Sequence, residues 1–207
     1  MAKTKGARST DYDAKRRALV ERMIPRVTRA GQTRPSLRAL AEAADASLPT
    51  LKHYFGSREG VIEAVFAQIE DDGRRYTDEA AAPKAAFDQS IRDFVSFFAA
   101  GLRHTPLGDM LGAGLAEGLL DGTLGPSCVD HLVEPSLTAL TARLEAHQAK
   151  GEMREGNARY AALSLFAPVL LACHHQNQLG GRERHAMDLD AFLSAHAEAF
   201  IRAHAAA

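Results

Sequence analysis

The sequence contains no tryptophan and only two cysteines, and aromatic residues make up 6% of its 207 residues. Cys128 and Cys173 do not stand at a metal-ligand spacing, and one pair of cysteines does not make a disulfide framework. No apolar run approaches the roughly 18 residues that indicate a membrane span, and the first residues lack the apolar core of a secretory signal. We therefore expect a cytoplasmic protein that has no metal site, needs no cofactor and does not insert into a membrane.

What the sequence does contain is a strong charge asymmetry beneath a net charge of −1. Residues 1–60 hold 13 lysines and arginines against 6 acidic residues, a balance of +7, whereas residues 61–207 hold 12 against 20, a balance of −8. A basic segment joined to an acidic body indicates that the first part faces a polyanion such as nucleic acid. The alternative is a chance clustering of solvated charge.

Residues 36–62 (SLRALAEAADASLPTLKHYFGSREGVI) predict two short helices joined by a tight turn. Ser36 is a good N-cap for a helix over 37–44, and Asp45 begins the turn. Ser47 caps a second helix, which Gly56 ends, and Pro49 is tolerated in its first turn, where no internal hydrogen bond is lost. A third helix follows directly. This order is that of a helix-turn-helix, which offers its second helix to the major groove of DNA.

The rest of the chain shows helical periodicity and no strand pattern. The expected helices are 13–30 with a bend at Pro25 and an end at Gly31, 58–73, 83–104, 106–121, 126–150 interrupted by Pro135, 157–179 and 188–204. The fold class is therefore all-α, with about nine helices in a small helix-turn-helix head and a larger bundle. We expect a flexible basic tail over 1–11, a DNA-binding domain over 12–60, and a ligand-binding and dimerisation domain over 61–207.

Residues 14–66 resemble the DNA-binding region of the TetR family of transcriptional repressors. The residues that carry this resemblance are Leu19, Val20, Val27, Gly31, Ser36, Leu40 to Ala44, Ser47, Thr50, Leu51, Tyr54, Phe55, Ser57, Arg58, Glu59, Val61 and Ile62. The family usually has glycine where Asp45 stands and tyrosine where Lys52 stands; aspartate tolerates the left-handed turn conformation that glycine adopts. The resemblance implies a homodimer that binds a palindromic operator on double-stranded DNA and responds to a small-molecule effector.

The second helix of the motif supplies most of the expected DNA contacts. Its exposed residues Leu48, Pro49, Lys52 and His53 should point into the groove, where lysine donates to guanine and apolar groups meet thymine methyls. Phosphate contacts should come from Ser36, Thr50, Tyr54 and Arg58, and Ser47 completes the set at the start of the helix. The alternative is a plain helical hairpin with surface charge.

The carboxy-terminal bundle is expected to hold both a dimer interface and a ligand pocket. Ala191, Ala195 and Ala199 form a small-residue stripe that permits close helix approach, and Leu165 and Val169 add apolar area. The alternative is that they fill the core of one chain. The expected pocket, lined by aromatic and apolar side chains with one polar anchor, comprises Phe94, Phe97, Phe98, Met110, Leu111, Phe166 and His174. An aromatic stripe at helical spacing is more often core than pocket.

These observations lead to two functional hypotheses. The first is a ligand-responsive dimeric regulator, a repressor that a small apolar effector releases from its operator. The second is a small helical enzyme or binding protein whose basic amino terminus is incidental. An enzyme needs a nucleophile–base or carboxylate pair, and none stands at a recognisable spacing. His174 and His175 are adjacent, whereas paired metal ligands on a helix stand four residues apart. We therefore expect no enzymatic activity.

Overall fold

A computed structural model of the chain describes residues 5–29 and 34–206, and within these ranges the chain is helical and contains no β-strand. The all-α fold class is confirmed. The described residues form α1 (Lys5–Thr28), α2 (Leu37–Ala43), α3 (Leu48–Phe55), α4 (Arg58–Ala81), α5 (Phe87–His104), α6 (Leu107–Leu120), α7 (Gly125–Cys128), a π-helical turn (Val129–Val133), α8 (Glu134–Ala149), α9 (Ala158–Asn177), α10 (Gly181–Arg184) and α11 (Leu189–His204).

Two helices are longer than the periodicity predicted. Helix α1 begins at Lys5 rather than near Asp13, so residues 5–11, expected as a tail, are helical. Residues 1–4 lie outside the described residues, as does Gly31, the expected end of this helix. Helix α4 continues to Ala81, past the predicted end at Gly73, because a single glycine weakens a helix by only about 1 kcal/mol and does not stop it.

The predicted helix over 126–150 is present but is divided before Pro135. Helix α7 leads into the π-helical turn, and α8 then begins at Glu134. Pro135 therefore falls in the first turn of α8, where its missing N–H breaks no internal hydrogen bond. The short helix α10 lies between the predicted helices 157–179 and 188–204 and follows Gly180, whose φ of 75° is left-handed.

The chain divides into two compact units that do not follow the sequence in order. One comprises Met1–Asp72 and Ala113–Leu132, and the other comprises Gly73–Gly112 and Val133–Ala207. Each has its own apolar core. In the first unit, side chains with almost no exposure include Val20, Met23, Leu40, Leu51, Ile62 and Phe66. In the second they include Ile91, Leu102, Leu140, Leu144, Leu165 and Phe166. No helix in the described part of the chain is long and apolar enough to cross a membrane.

A buried arginine ties the end of α4 to its neighbours in the second unit. The Arg143 Nε donates to the carbonyl oxygen of Ala80 at 2.6 Å, and Nη2 donates to that of Ala82 at 3.3 Å. Its Nη1 donates to the Ser90 hydroxyl at 2.8 Å. These bonds satisfy carbonyls that the end of a helix leaves without partners. Burial lowers the pKa of Arg143, so the hydrogen bonds must compensate for its desolvation.

Replacing this arginine tests how much the network stabilises the fold. We expect Arg143→Met to lower the free energy of unfolding by about 3 kcal/mol, because carbonyls and a hydroxyl lose their buried partner. Urea unfolding followed by circular dichroism measures the loss. The matched control is Arg92→Met, since Arg92 is exposed and pairs with exposed Glu198, and it should leave the midpoint nearly unchanged. Equal losses in both variants would contradict this account.

Candidate nucleic-acid interface

The first helix of the motif and its turn form as the sequence predicts. The Ser36 Oγ accepts a hydrogen bond from the Ala39 N–H at 3.2 Å, which makes Ser36 the N-cap of α2. Asp45, in the turn, has a φ of 50°, the only positive φ outside glycine among the described residues. Aspartate is one of the few side chains that tolerate this conformation, so it replaces glycine here at modest cost.

Helix α3 is fixed at both ends and on its inner face. The Ser47 Oγ accepts from the Thr50 N–H at 3.2 Å, and Gly56 ends the helix with a φ of 75°. Leu51 is fully buried and anchors α3 to the core of its unit. Pro49, Lys52 and His53 are exposed, and Leu48, Thr50 and Tyr54 are half-buried. The outer face of α3 thus carries the residue types expected to meet bases.

An aromatic cluster, formed by Tyr12, His53, Tyr54 and Phe55, joins α1 to α3. The Tyr12 ring lies 4.7 Å from the Tyr54 ring and 6.0 Å from the His53 imidazole, measured between centroids. The Arg16 guanidinium lies over the Phe55 ring at 5.1 Å. Tyr12 was not among the expected site residues. Its signal in the sequence is the four-residue spacing to Arg16, which puts both side chains on one face of α1.

A second cluster, which we call the Glu117 cluster, comprises Glu117, Arg58, Arg34 and the carbonyl of Pro35. The Arg58 Nη2 lies 2.5 Å from the Glu117 Oε1, and the Arg58 Nε donates to the Pro35 carbonyl oxygen at 2.7 Å. The Arg34 Nε donates to the Glu117 Oε2 at 2.8 Å. The Glu117 side chain is only 5% exposed, so its charge is balanced by two guanidinium groups instead of by water.

Asp121 extends this cluster towards solvent, 3.4 Å from Arg34. Hydrogen bonds from Thr123, followed by the contact with Arg34, lower the pKa of Asp121. The hydrogen bond to Glu117 raises the pKa of Arg34. No local sequence pattern indicates this cluster, because Glu117 and Arg58 are 59 residues apart along the chain. One consequence concerns Arg58: its Nε and Nη2 are engaged in this cluster, so the expected phosphate contact falls to the remaining N–H groups of a side chain that is 17% exposed.

The residues expected to line a ligand pocket occupy different environments in the second unit. Phe94, Phe98, Leu111 and Phe166 are buried. The Phe98 ring stacks on Phe166 at 4.7 Å and on Phe94 at 5.9 Å, so these three rings form packed core. His174 is also buried, and Met110 is half-buried. Phe97 is 51% exposed and faces away from this core.

The residues expected at a dimer interface also fall into two groups. Leu165 and Val169 are fully buried inside one chain, because they belong to the inner face of α9. Ala191, Ala195 and Ala199 are exposed on α11. Helical periodicity identified the apolar positions, but it did not show which of them are buried within a single chain. Exposed apolar side chains that the sequence analysis did not select lie on the same two helices: Tyr160, Leu163, Leu171 and Phe192.

A groove of about 460 Å³ lies between α5 and α11 and is lined by none of the expected pocket residues. Small and aliphatic side chains such as Ala99 and Ala197 form its floor. Ion pairs border it, with the Arg92 Nε 2.6 Å from Glu198 and the Arg103 Nη1 2.5 Å from Asp190. Across the described residues, no three His, Cys, Asp or Glu side chains lie together in a way that would hold a metal ion.

The capped helix-turn-helix and the helical body define a fold class, an all-α fold with an amino-terminal helix-turn-helix. No protein-family model matches the sequence, and no curated protein has significant sequence similarity to it. Solved structures do match. A protein from Mesorhizobium loti assigned to the TetR family of transcriptional regulators superposes with a TM-score of 0.75 at 18% identity, covering 98% of this chain and 100% of that one.

Two further structures give the same result. FadR from Bacillus subtilis, in complex with stearoyl-CoA, has a TM-score of 0.67 at 15% identity and covers 89% of this chain and 97% of its own. SmeT, the repressor of the Stenotrophomonas maltophilia multidrug efflux pump SmeDEF, has a TM-score of 0.66 at 16% identity. That match covers 94% of this chain and 92% of SmeT. At these identities the likeness establishes the fold. This chain has the fold of TetR-family regulators, and the resemblance noted in residues 14–66 is confirmed at that level.

The Glu117 cluster yields a prediction about stability. We expect Glu117→Gln to lower the free energy of unfolding by roughly 3 kcal/mol, because two arginines lose the buried charge that balances them. Urea unfolding measures the change. Glu59→Gln is the matched control, since Glu59 approaches the same guanidinium only at 4.0 Å and is more exposed. It should have a much smaller effect. If the two variants unfold at the same urea concentration, the cluster does not stabilise the head.

Proposed function

We propose that this protein is a dimeric DNA-binding transcriptional regulator that responds to a small apolar effector and acts in the cytoplasm. The observation that carries the proposal is the outer face of α3. Its inner residue Leu51 is buried, its ends are capped by Ser47 and Gly56, and Lys52 and His53 extend from it into solvent. A rigid, capped helix that exposes a cation and an imidazole suits insertion into the major groove.

We infer separate roles for the exposed groups. Lys52 and His53 donate to base edges, and Leu48 and Pro49 contact thymine methyls. The hydroxyls of Ser36 and Tyr54 donate to phosphates. The Ser47 and Thr50 hydroxyls lie 2.8 Å apart and bond to each other, so only one of this pair has a proton to donate to a phosphate. Arg58 joins them through the N–H groups that Pro35 and Glu117 do not engage. The basic balance of residues 1–60 supports the attraction of this head to a polyanion.

A dimer follows from the symmetry that such a site requires. Two heads that bind successive major grooves of a palindromic operator stand about 34–36 Å apart and need a shared interface. We propose that the exposed faces of α9 and α11 form it, through Leu163 and Leu171 on the first helix and Phe192 on the second. An exposed apolar face on two adjacent helices is what a four-helix contact between subunits would cover. Ala191, Ala195 and Ala199 let the helices approach closely.

The effector site is proposed for the second unit. Phe94, Phe98 and Phe166 supply apolar contact area, and His174 supplies a polar group. The stacked rings fill the core, so an effector would have to displace them and thereby change the packing of the bundle. Binding that favours one packing shifts the population away from the state that binds DNA, which is how a repressor is released from its operator. FadR, which shares the fold, has been solved in complex with stearoyl-CoA.

Binding to DNA tests the proposal directly. Selection from a random duplex library should return a palindromic sequence, and the affinity for it should fall steeply as salt rises, because phosphate contacts release counterions. Lys52→Ala should weaken binding to the selected sequence by about 1–3 kcal/mol and relax the preference at one or two base pairs. Fluorescence anisotropy with the selected duplex and its single-base variants measures both effects.

Lys84→Ala is the matched control for this variant, because it removes the same charge from the loop before α5. It should leave affinity and sequence preference unchanged. If Lys52→Ala kept the wild-type preference at every position, the base-reading assignment would be wrong. If the wild-type protein bound no duplex at low salt, the alternative of a helical protein with an incidental basic segment would be favoured.

The dimer has its own prediction. We expect Leu171→Arg to yield a monomer, since this side chain is 67% exposed on α9 and a buried unpaired charge at a subunit contact is costly. Sedimentation equilibrium across a range of concentrations measures the change. Leu119→Arg is the matched control, because Leu119 is 85% exposed but lies on α6, outside the proposed interface. A wild-type protein that stays monomeric at every concentration would contradict the proposed dimer.

A further inference from the structure

Near the carboxy-terminal end of α9 lie three buried polar atoms that have no hydrogen-bond partner among the described residues. They are both ring nitrogens of His174 and the Oε1 of Gln178, the residue that caps the end of this helix. His174 is only 9% exposed, so water in the bulk does not reach its ring. Buried polar groups in proteins almost always have partners, because an unpaired one costs about as much as a lost hydrogen bond. Among the described residues, these atoms of His174 and Gln178 are therefore left without the hydrogen-bonding group that buried polar atoms normally have.

The side of this site that faces α6 is formed by glycine. A methyl group built on Gly112 would lie 3.7 Å from the His174 Nε2 and would meet no other atom at a shorter distance. A gap that would take a methyl group attached to α6 therefore lies between Gly112 and this nitrogen. One turn earlier, a methyl group on Gly108 would clash with the backbone oxygen of Leu102 and lie 3.0 Å from the Gln178 Nε2. Glycine at position 108 therefore allows the close approach of α6 to Leu102 and Gln178.

The donors and acceptors at the gap restrict what can occupy it. Burial lowers the pKa of His174, and the neighbouring Gln178 and Asp109 side chains oppose this shift only in part. The ring is therefore neutral near pH 7 and offers one N–H donor and one nitrogen acceptor. Gln178 offers its Oε1 as a second acceptor. Its Nε2 already donates to the Asp109 Oδ1 at 3.3 Å. A matching group must both donate and accept, which a hydroxyl does.

Charged groups fit the donors and acceptors of His174 and Gln178 poorly. A carboxylate or phosphate has no proton to give to the two acceptors, and it would lie close to the Asp109 carboxylate. An ammonium group has no lone pair for the imidazole N–H, and burying it beside a neutral ring is costly. A hydrocarbon would leave all three polar atoms unpaired.

We propose that His174 and Gln178 bind a hydroxyl group of an uncharged effector, an alcohol or a phenol, in the gap beside Gly112. The inference rests on the proposed effector site in this unit and gives the chemical class of its ligand. The hydroxyl oxygen accepts a hydrogen bond from the imidazole N–H of His174. The hydroxyl proton is donated to an acceptor of the same site, the Gln178 Oε1.

Matched probes test the class of head group. Isothermal titration calorimetry on the full-length protein would compare 2-naphthol, 2-naphthoate and naphthalene, and then 1-octanol and octanoate. We expect each hydroxyl probe to bind at least about tenfold more tightly than its acid or hydrocarbon counterpart, the effect of about one hydrogen bond. If neither hydroxyl probe binds, or if an acid binds as tightly, the proposal is wrong.

A glycine substitution locates the bound group. Gly112→Ala fills the gap with a methyl group while favouring the helix, so we expect at least about a tenfold loss of 2-naphthol affinity with no loss of thermal stability. Gly73→Ala is the matched control, since a methyl group there meets no atom within 4 Å. It should bind 2-naphthol as the wild type does. Unchanged affinity in Gly112→Ala would overturn the assignment.

A crystal structure of the 2-naphthol complex distinguishes a bound naphthol hydroxyl from a water molecule at this site. The proposal requires the naphthol oxygen within hydrogen-bond distance of a His174 ring nitrogen. A water molecule that remains there while the naphthol binds elsewhere would refute it. None of these measurements uses DNA, so their failure is distinguishable from a failure of the proposed regulator, which would appear as the absence of duplex binding.

Discussion

A buried carboxylate organises the unit that contains the helix-turn-helix. Glu117 pairs with Arg58 at the start of α4 and with Arg34 just before α2, and Arg58 also holds the carbonyl of Pro35. These contacts join segments that are 59 and 83 residues from Glu117 along the chain. A charge removed from water is tolerated only where its partners are well placed. The position of the residues before α2, and with it the entry to the motif, therefore depends on the ion pairs being made together.

This constraint changes how the basic character of the amino-terminal region should be understood. Residues 1–60 contain 13 lysines and arginines, but several are engaged within the protein. Besides the two arginines bound to Glu117, Arg22 donates to the carbonyl of Ala44 at 3.1 Å, and Arg17 lies 3.3 Å from Asp72. The net charge still attracts a polyanion at long range. In the proposed function, short-range DNA contacts would therefore fall to fewer groups, among them Lys52 and His53, and the recognition surface would be smaller than the charge count suggests.

The sequence was most informative where a structural feature depends on neighbouring residues. The caps at Ser36 and Ser47 and the left-handed turn at Asp45 are local, so residue identity and spacing were enough to predict them. The Glu117 cluster depends on residues brought together by folding, and the aromatic contact of Tyr12 depends on a helix that starts earlier than its periodicity shows. Likewise, Leu165 and Ala195 are both apolar at helical spacing, but only tertiary packing decides that the first is buried within the chain and the second is exposed. Tertiary packing also decides that residues 113–132 belong to the unit that contains the helix-turn-helix.

The second unit combines a closely packed apolar core with one polar site, at His174 and Gln178, whose buried atoms lack hydrogen-bond partners among the described residues. The stacked rings of Phe94, Phe98 and Phe166 can offer an effector contact area but little selectivity, because apolar surfaces distinguish poorly between ligands of similar size. One methylene changes affinity by about 1–3 kcal/mol, whereas a site built to hydrogen-bond a hydroxyl can reject an analogue without one by a factor of about 10⁴. Affinity and selectivity would then come from different parts of the same unit. The aromatic core would set how much apolar area an effector needs to enter, and the unpaired atoms of His174 and Gln178 would decide which head group it must carry.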